Sequence, residues 1–182
     1  MDRSRLLDLN EVVQHPGRSV EFDVLLDGVD EPEVALASPI GGILRAQCDG
    51  RVLLLQGDFH TTVVMECVRC TADVEVQLEF AVEESYPISG TPGALSHSGA
   101  AYVDDAEEPF PLFVENRLKI EELIRQVLLV ELPAHPLCTA ECLGLCEHCG
   151  TNLNEGPCQC ASDAGNPAFR ALAEEWSKTE PA

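Results

Sequence analysis

The sequence predicts an α+β fold, in which a curled or barrel-like antiparallel β-sheet is covered by one helix and followed by a cysteine-rich C-terminal segment. Three observations predict it. Residues 43–86 have strand character throughout, residues 120–128 have helical periodicity, and eight of the nine cysteines form close pairs. With 182 residues, 45% of them hydrophobic, the chain can bury a core as one domain or as a domain with a small appendix.

The first strands are indicated by apolar runs that end at turn residues. One strand-like run covers 20–26, and a second covers 43–48. Asp49-Gly50 follows as a strong hairpin signal, because this dipeptide suits the tight turns that join antiparallel strands. The return strand is predicted from residue 52 to residue 55.

The next strands lead into and out of the first cysteine pair. Gly57-Asp58 predicts a second break, and a Thr- and Val-rich strand is expected over 59–67. Over 73–83, apolar residues alternate with mainly charged ones, which predicts a half-buried antiparallel strand in a sheet of about five or six strands. Cys67 and Cys70 are therefore expected at the turn between two strands.

One covering helix is predicted after a long polar region. Residues from about 87 to 111 are rich in turn-forming and acidic side chains and are expected to form a mobile loop. Apolar residues then recur over 120–128 at helical spacing, with Asn116 as the expected cap and Pro133 as the stop. A last short helix is predicted over about 167–176.

These elements divide the chain into two parts. Residues 1–136 are predicted to form the β-rich domain with its covering helix and the acidic loop. Residues 137–182 are predicted to form a zinc-binding segment, with the terminal helix, docked on that domain. Cys48, the unpaired cysteine, lies in a strand and is expected to be a buried core residue.

The cysteine spacing predicts two metal sites. A Cys-x-x-Cys turn places two sulfurs on one zinc ion, and four thiolates complete a tetrahedral site, so eight make two sites. The absence of a signal-like N-terminal segment favours a cytoplasmic chain, where close cysteines are more often ligands than disulfides. The paired cysteines are Cys67 and Cys70, Cys138 and Cys142, Cys146 and Cys149, and Cys158 and Cys160.

The eight cysteines are expected to divide between the two sites according to their closeness in sequence. Cys146, Cys149, Cys158 and Cys160 lie within fifteen residues of one another and make one complete set. The remaining set is Cys67, Cys70, Cys138 and Cys142, which requires the strand turn to meet the segment after the helix. Another division stays open, because Cys142 and Cys146 are close in sequence.

Other uses of these cysteines remain as alternatives. The first pair resembles a redox Cys-x-x-Cys motif, although such motifs start a helix, whereas Cys67 and Cys70 are predicted between strands. Structural disulfides would require export, and an iron–sulfur cluster also uses four cysteines. His135 lies near Cys138 and can replace one thiol, although four cysteines are already available.

Charge and motifs bound the class of function. Lys and Arg number 11 and Asp and Glu 32, which gives a net charge of −21 and favours basic partners over phosphate backbones. The alternative explanation of this charge is solubility alone, or the acidic proteome of a salt-tolerant organism. No nucleophile-elbow serine, glycine-rich phosphate loop or His-Glu-x-x-His motif occurs, and a four-thiolate site leaves no position for water. We therefore expect no enzyme, and no apolar run is long enough to span a membrane.

The cysteine motifs together resemble the YceD-like family, named for large ribosomal RNA subunit accumulation. The resemblance depends on Met65-Glu66-Cys67-Val68-Arg69-Cys70, on the motif from Leu137 to Cys160 and on Asn166-Pro167-Ala168-Phe169 near the C-terminus. It covers roughly residues 6–176. The chain departs from the family pattern in the long polar insertion at 87–111 and in lacking a basic residue directly after Pro167.

The resemblance implies a cytoplasmic, non-catalytic factor that supports large-subunit rRNA accumulation or processing. Its expected partner is a large-subunit precursor or a basic ribosomal protein, with direct RNA contact left open. Some family relatives retain only the counterparts of Cys67, Cys70, Cys138 and Cys142, which supports the division into two sites. The alternative from another class is a thiol redox sensor or a zinc-release switch.

Overall fold

The computed structural model describes residues 6–32, 34–93, 99–106 and 109–160, which contain nine strands and two helices. The elements are β1 (Leu6–Asp8), α1 (Asn10–Gln14), β2 (Ser19–Leu26), β3 (Ala35–Leu36), β4 (Ile40–Cys48), β5 (Val52–Glu66), β6 (Asp73–Ser89), β7 (Tyr102–Val103), β8 (Phe113–Val114), β9 (Arg117–Lys119) and α2 (Ile120–Glu131).

The main sheet is antiparallel and curls into a half-barrel, which confirms the predicted α+β class. Its strand order is β2-β4-β5-β6-β7, and β3 pairs separately with β5. Strands β2 and β4 include the predicted runs, and the hairpin between β4 and β5 turns at Asp49 and Gly50 as expected. A second sheet of three short strands has the order β1-β9-β8.

The hairpin of β5 and β6 is the longest feature of the fold. Its register pairs Val52 with Pro87 at one end and Glu66 with Asp73 at the other, without interruption. At about 3.3 Å per residue, the 15 residues of β5 span about 50 Å. The hairpin therefore carries residues 67–72, with the first cysteine pair, well away from the opposite end of the sheet.

The predicted strand break at Gly57-Asp58 is wrong, because both residues lie inside β5. A Cβ atom at Gly57 would stand 2.9 Å from the Phe59 ring, and one at Gly42 would stand 2.5 Å from the same ring. Both glycines therefore make room for Phe59, which stacks on Phe80 with ring centroids 5.7 Å apart. Here glycine serves close packing within a curled sheet instead of a turn.

The main core lies between the curled sheet and α2, which covers it as predicted. The inward residues of β4 and β5 alternate along each strand, and Cys48 is fully buried among them, as expected. Helix α2 buries four apolar side chains on one face, at the predicted spacing. They are Ile120, Leu123, Ile124 and Leu128.

Asn116 is not a helix cap, which corrects the sequence prediction. Helix α2 begins at Ile120, and Lys119 precedes it without a side-chain capping bond. Asn116 instead occupies the tight turn between β8 and β9 with φ of 61° and is 7% exposed. Its Oδ1 accepts from the Val103 N–H at 2.9 Å, and its Nδ2 donates to the Ala101 carbonyl at 3.1 Å. The side chain therefore ties the small sheet to β7.

The region predicted as a mobile loop over about 87–111 contributes two strand segments to the main sheet. Strand β6 continues to Ser89, and β7 pairs with its end through Ile88 and Val103. This pairing could not be predicted from the sequence, because a long polar stretch separates β6 from β7 and only two residues of β7 take part. The helix predicted over 167–176 lies outside the described residues.

Candidate metal centres

The first cysteine cluster forms where the tip of the β5–β6 hairpin meets the chain after α2. Cys67 and Cys70 are supplied by the hairpin turn, and Cys138 and Cys142 by the later segment. The Sγ atoms of Cys67 and Cys142 lie 3.8 Å apart, and those of Cys70 and Cys138 lie 3.6 Å apart. Cys67 is only 1% exposed, so this cluster is enclosed by the protein.

Backbone hydrogen bonds shape the turn that presents Cys67 and Cys70. The Cys67 N–H donates to the Ala72 carbonyl at 2.8 Å, and the Thr71 N–H donates to the Cys67 carbonyl at 2.9 Å. Closing this turn puts Thr71 in the left-handed region with φ of 57°. That conformation is unfavourable for a β-branched residue, and no pattern in the sequence indicates it.

The second cysteine pair with this spacing makes the same turn. The Cys146 N–H donates to the Thr151 carbonyl at 2.8 Å, and the Gly150 N–H donates to the Cys146 carbonyl at 2.8 Å. Gly150 has φ of 71° and stands where Thr71 stands in the first turn. The two turns therefore share one hydrogen-bonding pattern and differ in whether the left-handed residue is a glycine.

Exchanging these two residue types should move stability in opposite directions. Thr71→Gly should raise the free energy of unfolding by about 0.5–1 kcal/mol, because left-handed strain of roughly 1–2 kcal/mol outweighs the added unfolded-chain entropy. Gly150→Thr should lower it by about 1 kcal/mol, since no atom lies near the new Cβ and only the backbone is strained. Urea denaturation of the metal-saturated protein measures both, and a less stable Thr71→Gly variant would contradict the strain argument.

The segment after α2 is fastened to the hairpin tip by backbone contacts on both sides of the first cluster. The Val68 N–H donates to the Pro136 carbonyl at 3.0 Å, and the Leu145 N–H donates to the Arg69 carbonyl at 3.1 Å. The Arg69 guanidinium donates to the Cys142 carbonyl at 2.8 Å. These bonds hold Cys138 and Cys142 against the turn, although many residues, including β6 and α2, lie between them and the turn in the sequence.

The second cluster lies beside the first and is more open to solvent. It consists of Cys146, Cys149, Cys158 and Cys160, and the Sγ atoms of Cys146 and Cys158 lie 3.5 Å apart. Cys149 is exposed, whereas the other three are intermediate. The structure thus groups the eight cysteines in the two sets that the spacing predicts.

Both clusters have the dimensions of a site for one tetrahedral ion. All four Sγ atoms of each lie within 4.8 Å of one another. Metal–sulfur bonds of about 2.3 Å in a tetrahedron place sulfurs about 3.8 Å apart, close to the spacings observed. Each cluster can therefore hold a metal ion with four soft donors. Neither group needs His135, which the sequence suggested as a replacement ligand.

The thiols within the clusters differ in how readily they lose a proton. Backbone hydrogen bonding from Cys138 lowers the pKa of the Cys67 thiol to about 6. Hydrogen bonding from the side chain and backbone of Thr151 lowers the pKa of Cys149 to about 6. The adjoining Cys149 thiol and burial raise the pKa of Cys160 to about 12. Thiols with a raised pKa therefore stay protonated in these crowded clusters. A bound cation would displace those protons.

Comparison with known proteins places this arrangement in a family. The family described as "Large ribosomal RNA subunit accumulation protein YceD" matches residues 55–174, which confirms the resemblance seen in the cysteine motifs. This match covers β5 from residue 55 onward, β6, α2 and all eight paired cysteines.

Several mycobacterial proteins are similar to this chain, and all are uncharacterised. A Mycobacterium leprae protein is 27% identical over 155 residues, which is 81% of this chain and 67% of that protein. Proteins of Mycobacterium bovis and Mycobacterium tuberculosis are 28% identical over 116 residues, or 63% of this chain. The match spans 51% of their length. No solved structure matches the chain.

No helix in the described part of the chain is long and apolar enough to cross a bilayer.

Proposed function

Because this chain belongs to the YceD family of large ribosomal RNA subunit accumulation proteins, we propose that it is a non-catalytic, zinc-stabilised factor in ribosome biogenesis. The family match over residues 55–174 is the observation on which the proposal depends. In this proposal the chain acts in the cytoplasm, where thiols stay reduced, and supports large-subunit rRNA accumulation or processing.

Zinc is the proposed ion in both clusters. Four thiolates at tetrahedral spacing suit zinc, and a site with four protein ligands leaves no open position for water or substrate. Cys67, Cys70, Cys138 and Cys142 would hold one ion, and Cys146, Cys149, Cys158 and Cys160 the other. The chemistry supplied by each ion would be structural cross-linking of distant chain segments.

Metal analysis separates this function from the redox alternative. Protein purified under reducing conditions should contain about two zinc ions, one for each set of four thiolates. The exposure of Cys149 is the observation that favours a redox sensor or a zinc-release switch. Metal-free protein with a reversible disulfide would support that alternative and count against the structural role.

The charge distribution supports a basic protein partner over direct RNA binding. Several arginines are already neutralised, since Arg18 pairs with Glu11 and Arg45 with Glu21. Arg125 lies 3.2 Å from Glu31 and also binds Glu122. Cations engaged in this way contribute little to a phosphate-binding surface, which usually needs a cluster of unpaired Lys and Arg.

A groove between α2 and β6 offers a place for such a partner. Its volume is about 600 Å³. Phe110 is 66% exposed and Val130 is 82% exposed, and both of these apolar side chains line this one groove. Within the described part of the chain, the lining also includes Glu83, Glu84 and Glu131 and no Lys or Arg. An apolar floor with an acidic rim is complementary to an amphipathic segment of a basic ribosomal protein.

Val130→Glu should weaken this binding roughly tenfold, as expected when an apolar contact worth about 1.4 kcal/mol is lost. Val114→Glu is the matched control, because Val114 is 45% exposed and lies outside the groove. The immobilised proteins are incubated with proteins extracted from large ribosomal subunits and, separately, with protein-free large-subunit RNA.

The wild type and Val114→Glu should retain basic ribosomal proteins at low salt and release them at high salt, because screening weakens the charge attraction. Equal retention by wild type and Val130→Glu would refute the groove as the docking site. Retention of the naked RNA alone would refute a protein partner.

A further inference from the structure

A side chain in the loop of the second cluster donates a hydrogen bond to a cysteine of the first cluster. Asn154 lies in the loop between Cys149 and Cys158, yet its Nδ2 donates to the Sγ of Cys142 at 3.3 Å. Cys142 is a member of the first cluster and is only 3% exposed. An N–H donor aimed at sulfur favours the thiolate, because it offsets the negative charge that a metal ligand must carry.

The carboxamide of Asn154 is fixed at both ends. Its Oδ1 accepts from the Leu143 N–H at 2.8 Å, and its Nδ2 also donates to Asn152 Oδ1 at 2.8 Å. Asn152 Oδ1 accepts a further bond from the Asn154 backbone N–H at 3.0 Å. These partners orient the amide so that the donor faces the sulfur.

The loop that carries Asn154 begins and ends at cysteines of the second cluster. The loop leaves Cys149 and returns at Cys158, so an ion bound by both would close it. Its other contacts are to the strip between the clusters, where the Leu153 N–H donates to the Gly144 carbonyl at 2.9 Å. Without an ion, this small loop contains no buried apolar side chain in the described structure to hold it.

From this geometry we infer that Asn154 is a positioning residue that couples the two metal sites. An ion in the second cluster closes the 149–158 loop, which aims Asn154 at Cys142 and raises the affinity of the first cluster for its own ion. The inference rests on the proposed metal binding. Coupling of binding free energies is reciprocal, so an ion in the first cluster raises the affinity of the second by the same factor.

Cadmium-113 NMR tests this inference, because the ion binds four thiolates and each loaded cluster gives its own signal. Chelator competition followed at both signals yields both affinities. In Asn154→Ala, both affinities of the doubly loaded protein should fall by one shared factor of about 10–100, the usual effect of an outer partner of a metal ligand. The chemical shift of the first signal should also move, whereas Gln159→Ala, which removes an exposed carboxamide beside the second cluster, should leave shifts and affinities unchanged.

A second comparison isolates the role of the second ion. C149S/C160S, which lacks the second site, should bind cadmium at the first cluster more weakly by that same factor, and adding N154A should cause no further loss. A full additional loss would overturn the coupling, as would first-site affinity within twofold of wild type in N154A. If C149S/C160S does not fold, the N154A result alone tests the inference. Wild type with fewer than two cadmium signals would instead refute the proposed metal binding.

Discussion

Cys67→Ser is expected to release one zinc ion and to detach the segment around Cys138 and Cys142 from the hairpin tip. A structural zinc site contributes about 10–16 kcal/mol of apparent binding free energy, and most of it should be lost with one of four ligands. Cys67 is buried, and its cluster joins parts of the chain that are some seventy residues apart. A serine there leaves a polar group in an enclosed site without its ion.

Cys149→Ser is the matched control for this effect. It also removes one thiolate from a cluster of four and should also cost one zinc ion at saturating zinc. Cys149 is exposed, and all ligands of its cluster lie within fifteen residues, so less structure depends on it. Metal analysis and limited proteolysis compare the two variants. Rapid cleavage near residues 133–140 should appear in Cys67→Ser only, and equal protection would contradict the cross-linking role.

Asn116→Ala is expected to lower the free energy of unfolding by about 3–5 kcal/mol. The change leaves the Val103 N–H and the Ala101 carbonyl unpaired in a buried place, at roughly 1–3 kcal/mol each. Alanine also tolerates the left-handed backbone less well than asparagine does. Urea denaturation measures the loss.

Glu115→Ala is the control for the backbone contribution, because Glu115 has φ of 51° in the same turn and is exposed. It should change stability by less than about 1 kcal/mol, since it removes no buried hydrogen bond. Similar losses in both variants would mean that the Asn116 hydrogen bonds do not account for the effect.

The parts of this fold that the sequence predicts well depend on local patterns. Alternation over 73–83 predicts a half-buried strand, and helical spacing over 120–128 predicts α2, because each pattern reflects which face is buried. The division of the cysteines follows in the same way. Ligands close in sequence form one set, which leaves Cys67, Cys70, Cys138 and Cys142 to form the other.

The parts that it misses depend on contacts between distant residues. Gly57-Asp58 resembles a turn dipeptide, and only the close approach of the Ile43 carbonyl and the Phe59 ring explains why a glycine lies inside the strand. Asn116 has the sequence position of a helix cap, but partners near residue 102 determine its role. The spacing of the cysteines does not predict the role of Asn154, since its hydrogen-bond acceptor Cys142 belongs to the other cluster.

The buried residues of the described structure fall into two groups that do not merge, one beneath α2 and one around Cys67, Cys70 and Cys142. The first group is apolar and large, whereas the second consists of cysteines with a few half-buried neighbours such as Val74 and Leu137. Heating should therefore produce two transitions, of which only the one at the hairpin tip shifts with free zinc concentration. A single midpoint temperature would then describe neither of the two transitions.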